Sequence, residues 1–121
     1  MSDTLYPNPT KALADKRRSL APDAEAAFRA FSEVVFRDGA LPGKTKQLIA
    51  VAVAHVTQCP YCIKGHTKAA KRAGASPEEI MEAIWVAAEM RAGGAYAHSS
   101  LALATLEELE AAHLHKGSAG A

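Results

Sequence analysis

Residues 44–84 read KTKQLIAVAVAHVTQCPYCIKGHTKAAKRAGASPEEIMEAI, and this stretch decides the fold. Its first segment, Lys44–Thr57, follows a turn signal at Pro42 and Gly43 and is apolar almost all round in its second half. A helix of that kind must be buried, either within the domain or between subunits. Much of the chain's 49% hydrophobic fraction is alanine, a strong helix former, and few stretches are typical of strands. The sequence therefore predicts an all-α fold.

Two further helix starts lie in the same stretch. Pro60 suits the first turn of a helix, where its missing N–H would have no partner anyway, and Gly74 marks the end of that helix. Ser76 and Glu79 match a capping box with a proline between them, which predicts a helix over Pro77–Arg91.

Helices are also predicted on both sides of this stretch. Apolar residues at three- and four-residue spacings predict an amphipathic helix over Pro22–Arg37, and a shorter helix is expected near Lys11–Ser19. The glycine pair at 93–94 predicts a break, after which Ala95–Leu114 forms a last helix and residues 115–121 form a flexible tail.

The length and charge of the chain limit its domain count and its partners. A chain of 121 residues has about the commonest size of one domain, so we expect a single-domain helical bundle with its core at about 22–114 and an N-terminal segment at 1–21. The 14 Lys and Arg and the 13 Asp and Glu are scattered, so nucleic acid is not an expected partner. The longest apolar run, Leu48–Val56, is too short to cross a bilayer, and the first ten residues lack the pattern of a signal peptide. We therefore expect a cytoplasmic protein that does not bind membranes.

The chemistry in this sequence centres on Cys59, Cys62 and His66. Two cysteines at this spacing, in a chain without a secretory signal, are more typical of catalysis or metal binding than of a structural disulfide. On a helix the three positions fall within an arc of about 60°, so both thiols and the imidazole are expected on one face. His66 one turn beyond Cys62 and the positive end of the helix dipole both favour a thiolate. A thiolate can attack the O–O bond of a peroxide, and the second thiol can then displace water and close a disulfide.

Other interpretations of the same residues remain open. The two thiols and His66 could be three zinc ligands, with His55 or His98 as the fourth, in a zinc-binding or structural interaction domain. Inert, packed cysteines would leave a similar pattern. A thioredoxin-type fold also uses Cys-x-x-Cys, but it needs flanking strands, and the flanking segments here are helical in period.

The run from Gly39 to Ile84 resembles the core of the carboxymuconolactone decarboxylase and alkylhydroperoxidase D superfamily, and the likeness covers roughly residues 39–100. The peroxidase signature of that superfamily is a Glu, eleven residues, Cys-x-x-Cys, three residues and a His. Cys59, Cys62 and His66 match it position for position. The resemblance implies an all-helical subunit that assembles into a homo-oligomer, a trimer or hexamer, in which Cys62 attacks the peroxide and Cys59 is the resolving thiol.

The resemblance further implies an antioxidant thiol oxidoreductase, a peroxidase or disulfide reductase, that works without a metal or an organic cofactor. Its substrate would be a hydroperoxide or a disulfide, and a thiol or dithiol protein partner would return it to the reduced state. The decarboxylase branch of the superfamily works without the cysteine pair, so Cys59 and Cys62 argue against lactone decarboxylation. That alternative predicts an activity that survives Cys-to-Ser substitution.

The proton relay of the signature is altered in this chain. Gln47 occupies the position of the Glu, and an amide cannot relay a proton. Tyr61 lies between the cysteines, where the best-known peroxidase has a His, and supplies a phenol with a pKa of ~10. Glu89 is the candidate replacement, because an antiparallel hairpin of helices around Gly74–Ser76 would place it beside Cys62, although a solvated surface position is the commoner role of a helical Glu. We therefore expect a slower peroxidase, with Gln47, Glu89 and Tyr61 as candidate members of the relay.

Overall fold

The computed structural model describes residues 5–120, and the side chains of residues 5–115. Five helices follow one another along the chain: α1 (Lys11–Leu20), α2 (Pro22–Phe36), α3 (Gly43–Thr57), α4 (Pro60–Arg72) and α5 (Pro77–Gly120). No strand occurs in residues 5–120, so the prediction of an all-α fold is confirmed. Among these described helices, none is long and apolar enough to span a membrane.

The capping box predicted at the start of α5 is confirmed. The Ser76 amide donates to the Glu79 carboxylate at 2.8 Å, and the Glu79 amide donates to the Ser76 hydroxyl oxygen at 3.1 Å. The second carboxylate oxygen of Glu79 pairs with the Lys44 ammonium at 2.8 Å. Because Lys44 lies in the first turn of α3, this ion pair ties the start of α5 to the start of α3.

The course of α5 corrects the prediction. The glycine pair at 93–94 causes no break, and the helices predicted over Pro77–Arg91 and Ala95–Leu114 are one helix, Pro77–Gly120. Glycine inside a helix costs only about 1 kcal/mol relative to alanine, and the alanine-rich neighbours of the pair favour the helix strongly enough to offset that cost. The helix also covers most of the predicted tail, of which Ala121 lies outside the described residues.

Backbone contacts divide the described residues into two compact units, and the division falls between Ala87 and Ala88, inside α5. The first unit contains α1 to α4 and the beginning of α5. The second unit contains the rest of α5.

The core of the first unit involves α3, α4 and the beginning of α5. Its buried residues are Val51, Ala70 and Ala75, with the partly buried Leu48, Ile80 and Ile84 packed against them. Small side chains at this contact let the backbones of α3 and α4 come close together, and these two helices are in extensive contact. The core thereby fixes α4, which follows the first cysteine and carries the second, against α3.

The apolar half of α3 is only partly covered. Val51 and Ala54 are buried, whereas Ile49, Val53 and Val56 are 47%, 51% and 42% exposed. The sequence predicts that this helix is buried within the domain or between subunits. One side is buried within the chain, and burial of the other side between subunits stays a prediction.

Candidate active site

A sharp turn between α3 and α4 places the first cysteine. α3 ends at Thr57, and Gln58 adopts the left-handed conformation, with φ 61° and ψ 47°. A residue other than glycine adopts this conformation at a cost of order 1–3 kcal/mol, and it commonly ends a helix. The amides of Gln58 and Cys59 both donate to the Ala54 carbonyl oxygen, which closes the turn. Cys59 is thereby set directly before the first residue of α4.

Cys59 is the N-cap of α4. Its backbone is extended, with φ −99° and ψ 103°, and its sulfur accepts a hydrogen bond from the Cys62 amide at 3.3 Å. Pro60 follows as the first helical residue, as predicted. Cys59 therefore precedes the helix, and the expectation that it lies on the helical face of Cys62 and His66 needs this correction. The cap, rather than a shared helical face, brings its sulfur to Cys62.

The two sulfur atoms lie 2.6 Å apart, and both cysteines are free. Cys59 is half-buried and Cys62 is exposed. At this separation the thiols share a hydrogen bond, and little movement is needed to join them covalently.

The contact between the thiols separates their acidities. The hydrogen bond from the Cys62 thiol, supported by the one from the Cys62 amide, lowers the pKa of the Cys59 thiol below its ordinary value. The same thiol–thiol hydrogen bond raises the pKa of Cys62, and burial of its sulfur adds to the rise. The two sulfurs titrate as a coupled pair. The contact thus favours a thiolate at Cys59 over one at Cys62.

His66 is held by residues of two other helices. Its Nδ1 atom lies 2.7 Å from the Oε1 atom of Gln47 in α3, and its ring stacks on Phe36 of α2 with centroids 5.0 Å apart. An amide oxygen only accepts hydrogen bonds, so Nδ1 carries the hydrogen and the Nε2 atom of the neutral ring keeps a free lone pair. The sequence-predicted Gln47 thus meets His66 directly.

An apolar cavity of about 420 Å³ lies beside the second cysteine, and both Cys62 and His66 line it. Its volume lies within the range of small-molecule sites. Cys59 is not among its lining residues, so Cys62 is the sulfur that faces this space. The other lining residues are Val35, Phe36, Lys46, Ile49, Ala50, Val53, Ala54 and Thr57.

Tyr61 makes its polar contact away from the cysteines. Its hydroxyl donates to the Pro7 carbonyl oxygen at 2.7 Å, and the Tyr6 ring meets its ring edge-on at 6.0 Å between centroids. The ring also lines a second opening at Cys62 and His66. Its hydroxyl hydrogen is therefore used in holding the N-terminal segment, and a role in a proton relay stays a prediction.

Glu89 lies in the second unit, whereas Cys59, Cys62 and His66 lie in the first. Within α5 the carboxylate of Glu89 lies beside Gly93. A Cβ atom added to Gly93 would lie 3.4 Å from the Oε1 atom of Glu89. The placement of Glu89 beside Cys62 stays a prediction.

Sequence reasoning missed Phe36 and Pro7 as neighbours of the site. Phe36 fits the apolar spacing of its own helix, so it could not be distinguished from an ordinary core aromatic. Pro7 is separated from its partner Tyr61 by 54 positions. No local pattern reports a contact of that range.

The zinc interpretation finds no cluster to support it among the side chains of residues 5–115. Within that range, no three His, Cys, Asp or Glu side chains come together in a way that could hold a metal ion. His55, one candidate for the fourth ligand, has its Nδ1 atom 2.7 Å from the Val51 carbonyl oxygen. His98, the other candidate, lies in the second unit.

Comparison with known sequences gives a family match. A model of the carboxymuconolactone decarboxylase family matches residues 22–115, a range that crosses the division between the two units. The uncharacterized protein 4 in the cox locus of Paracoccus denitrificans is 61% identical over 112 residues, which cover 93% of this chain and 100% of that protein.

Solved structures of two similar proteins agree with this match. A carboxymuconolactone decarboxylase family protein from Legionella pneumophila is 35% identical, with a TM-score of 0.63 over 65% of this chain and 70% of its own. A family member from Thermotoga maritima, described as having a suggested role in an antioxidative response, is 33% identical, with a TM-score of 0.54 over 72% of this chain and 90% of its own.

Proposed function

Because the chain belongs to the carboxymuconolactone decarboxylase family and holds two free thiols 2.6 Å apart, we propose that it is a cofactor-free thiol oxidoreductase that reduces a hydroperoxide or a disulfide. The observation that carries the proposal is this pair of sulfurs with unequal acidities, one of which shares an apolar cavity with His66. The suggested antioxidative role of the Thermotoga maritima relative fits the same chemistry.

The first step is an attack by Cys62 on the peroxide. Cys62 is the sulfur that lines the cavity, and the free lone pair on Nε2 of His66 can take the thiol proton. The thiolate attacks one peroxide oxygen, the O–O bond breaks, and Cys62 becomes a sulfenic acid. The departing alkoxide takes a proton and leaves as an alcohol, with His66 as the proton source.

The second step closes the disulfide, and Cys59 is the attacking sulfur. A thiolate at Cys59 attacks the sulfenic sulfur of Cys62, the S–S bond forms, and the hydroxide that leaves is protonated to water. In the reduced pair the contact between the thiols raises the pKa of Cys62, so its attack depends on His66. Once Cys62 is a sulfenic acid, the Cys62 amide still donates to the Cys59 sulfur and favours its thiolate. The two cysteines therefore have different tasks.

The third step restores the thiols. A thiolate of an external dithiol attacks Cys62, the more exposed of the two residues, and Cys59 leaves as the thiolate. The second thiol of the external dithiol then attacks the first sulfur of that dithiol in the mixed disulfide, and Cys62 leaves as the second thiolate. A thiol of low pKa is the better leaving group, so the hydrogen bond from the Cys62 amide, which lowers the pKa of Cys59, also favours this step. Run in the opposite direction, the same exchange would reduce a disulfide substrate and oxidise Cys59 and Cys62.

The order of attack is tested by trapping the sulfenic acid with dimedone after one equivalent of cumene hydroperoxide. In Cys59→Ser, Cys62 has no resolving partner, so the adduct should accumulate. In Cys62→Ser, little adduct should form. The reverse pattern would contradict the assignment. Lactone decarboxylation that survives in the Cys59→Ser/Cys62→Ser double variant would favour the cofactor-free decarboxylase alternative.

A further inference from the structure

A cavity of about 580 Å³ lies between the N-terminal segment, α1 and Tyr61. Tyr61 also lines the opening at Cys62 and His66, so its ring is a wall common to both spaces. The chemistry proposed above makes no use of this cavity.

One face of α1 forms much of its wall. Leu13, Lys16, Arg17 and Leu20 all line the cavity, and their spacing of i, i+3, i+4 and i+7 places them on one side of the helix. Two cations lie at the centre of this stripe and a leucine lies at each end. Both leucines are exposed in the single chain, so the stripe offers open apolar surface on either side of its positive charge.

The two cations of the stripe lack the partners that their neighbours have. Lys11 and Arg18 both pair with Asp15, at 2.8 and 3.3 Å. Lys16 and Arg17 make no ion pair or side-chain hydrogen bond in the part of the chain that the structure describes. Two adjacent unpaired cations attract an anion, and the planar arginine fork suits a carboxylate in particular.

We propose that this cavity binds a small organic carboxylate with an apolar chain, such as a medium-chain fatty acid. The carboxylate lies between Lys16 and Arg17, and the chain covers Leu13, Leu20 and the ring of Tyr61. An inorganic anion would leave the leucines in water, and a neutral hydrocarbon would partly desolvate two cations without compensation. A ligand that has both a carboxylate and an apolar chain matches the two cations and the apolar side chains of the wall.

The test is calorimetric titration of the reduced full-length protein with octanoate. Saturable binding of one octanoate per chain is expected. The Lys16→Gln/Arg17→Gln double variant should bind at least about tenfold more weakly, which corresponds to the loss of about 1.4 kcal/mol. The matched control, Lys71→Gln/Arg72→Gln, removes the same charge from the last turn of α4 and should bind within about twofold of the wild type. Circular dichroism checks that both variants keep their helices.

Several outcomes would overturn the proposal. They are the absence of saturable binding, an equal loss in both double variants, and binding of acetate, inorganic phosphate or 1-octanol as tight as that of octanoate. The Cys59→Ser/Cys62→Ser variant should bind octanoate like the wild type, because neither sulfur lines this cavity. Loss of binding in that variant would place the ligand at the thiols and contradict the site. The titration therefore gives a result that does not depend on the redox activity.

Discussion

The Nδ1 atom of His66 donates its hydrogen to the side-chain oxygen of Gln47, 19 positions earlier in the chain, at 2.7 Å. This bond leaves Nε2 as the basic atom of the neutral ring, and Phe36 stacked on the ring limits its rotation. Gln47 thus orients the imidazole. Because it carries no charge, it does not stabilise the imidazolium that forms when the ring takes a proton from a thiol.

The first prediction concerns this position. In Gln47→Glu, a carboxylate of almost the same shape would stabilise the imidazolium, make His66 a stronger base and supply a relay group. General acid–base groups contribute ~10²- to 10⁴-fold to a rate. We expect the single-turnover rate of peroxide reduction to rise by a factor near the lower end of that range. Stopped-flow measurement with a limiting amount of protein checks it. A rate equal to that of the wild type would show that proton transfer through His66 does not limit the reaction.

The second prediction concerns Glu89. If this residue supplies the proton that Gln47 cannot relay, Glu89→Gln should lower the same single-turnover rate steeply. Glu82→Gln is the matched control, since it makes the same change seven positions earlier in the same helix. Equal rates in the wild type and both variants would show that Glu89 is an ordinary solvated residue and that His66 is the base.

The third prediction is that the protein is a trimer or hexamer in solution. Ile49 and Val53 of α3 are about half exposed, and in the second unit Tyr96 is 83% exposed and Leu106 and Leu109 are also open. Full burial of one such side chain is worth about 1.5–3 kcal/mol, so covering these residues against further copies would be strongly favourable. Light scattering at micromolar concentration should give three or six times the 12.7 kDa of one chain. A mass of one chain would contradict it.

The fourth prediction is a pH dependence of stability at Glu79. The Lys44 ammonium, together with the Ser76 amide, lowers the pKa of this carboxyl below its ordinary value of 4.5. A lowered pKa in the folded state adds stability above pH 4.5, and this contribution is lost as the pH falls through the folded pKa. The wild type should therefore have a higher melting temperature than Glu79→Gln at pH 7, and this difference in melting temperature should shrink as the pH falls below 4.5. Glu78→Gln is the control, and a difference in melting temperature that stays constant down to pH 3 would contradict the ion pair.

Local features of the fold could be predicted from the sequence because they depend on neighbouring residues. The capping box of Ser76 and Glu79 and the position of Pro60 each need only a few adjacent backbone groups, and both are found as predicted. The predicted break at 93–94 is wrong because each glycine disfavours the helix by only about 1 kcal/mol relative to alanine. The helix-forming residues around the pair outweigh that cost.

The arrangement of the site depends on contacts that sequence patterns do not report. The Cys-x-x-Cys spacing and His66 indicated thiol chemistry, but the left-handed turn at Gln58, which makes Cys59 a cap, depends on how α3 and α4 meet. The bond from Tyr61 to Pro7 likewise joins residues whose separation in the chain hides the contact.

The central claim is that Cys59 and Cys62 form a reversible redox pair, and thiol titration with intact-mass measurement tests it most directly. Each chain should show two free thiols before treatment and none after one equivalent of peroxide. Its mass should fall by that of two hydrogen atoms, the bond should lie within one chain, and dithiothreitol should restore both thiols. If both thiols stay free after peroxide, or if only bonds between subunits form, the two-thiol mechanism is contradicted.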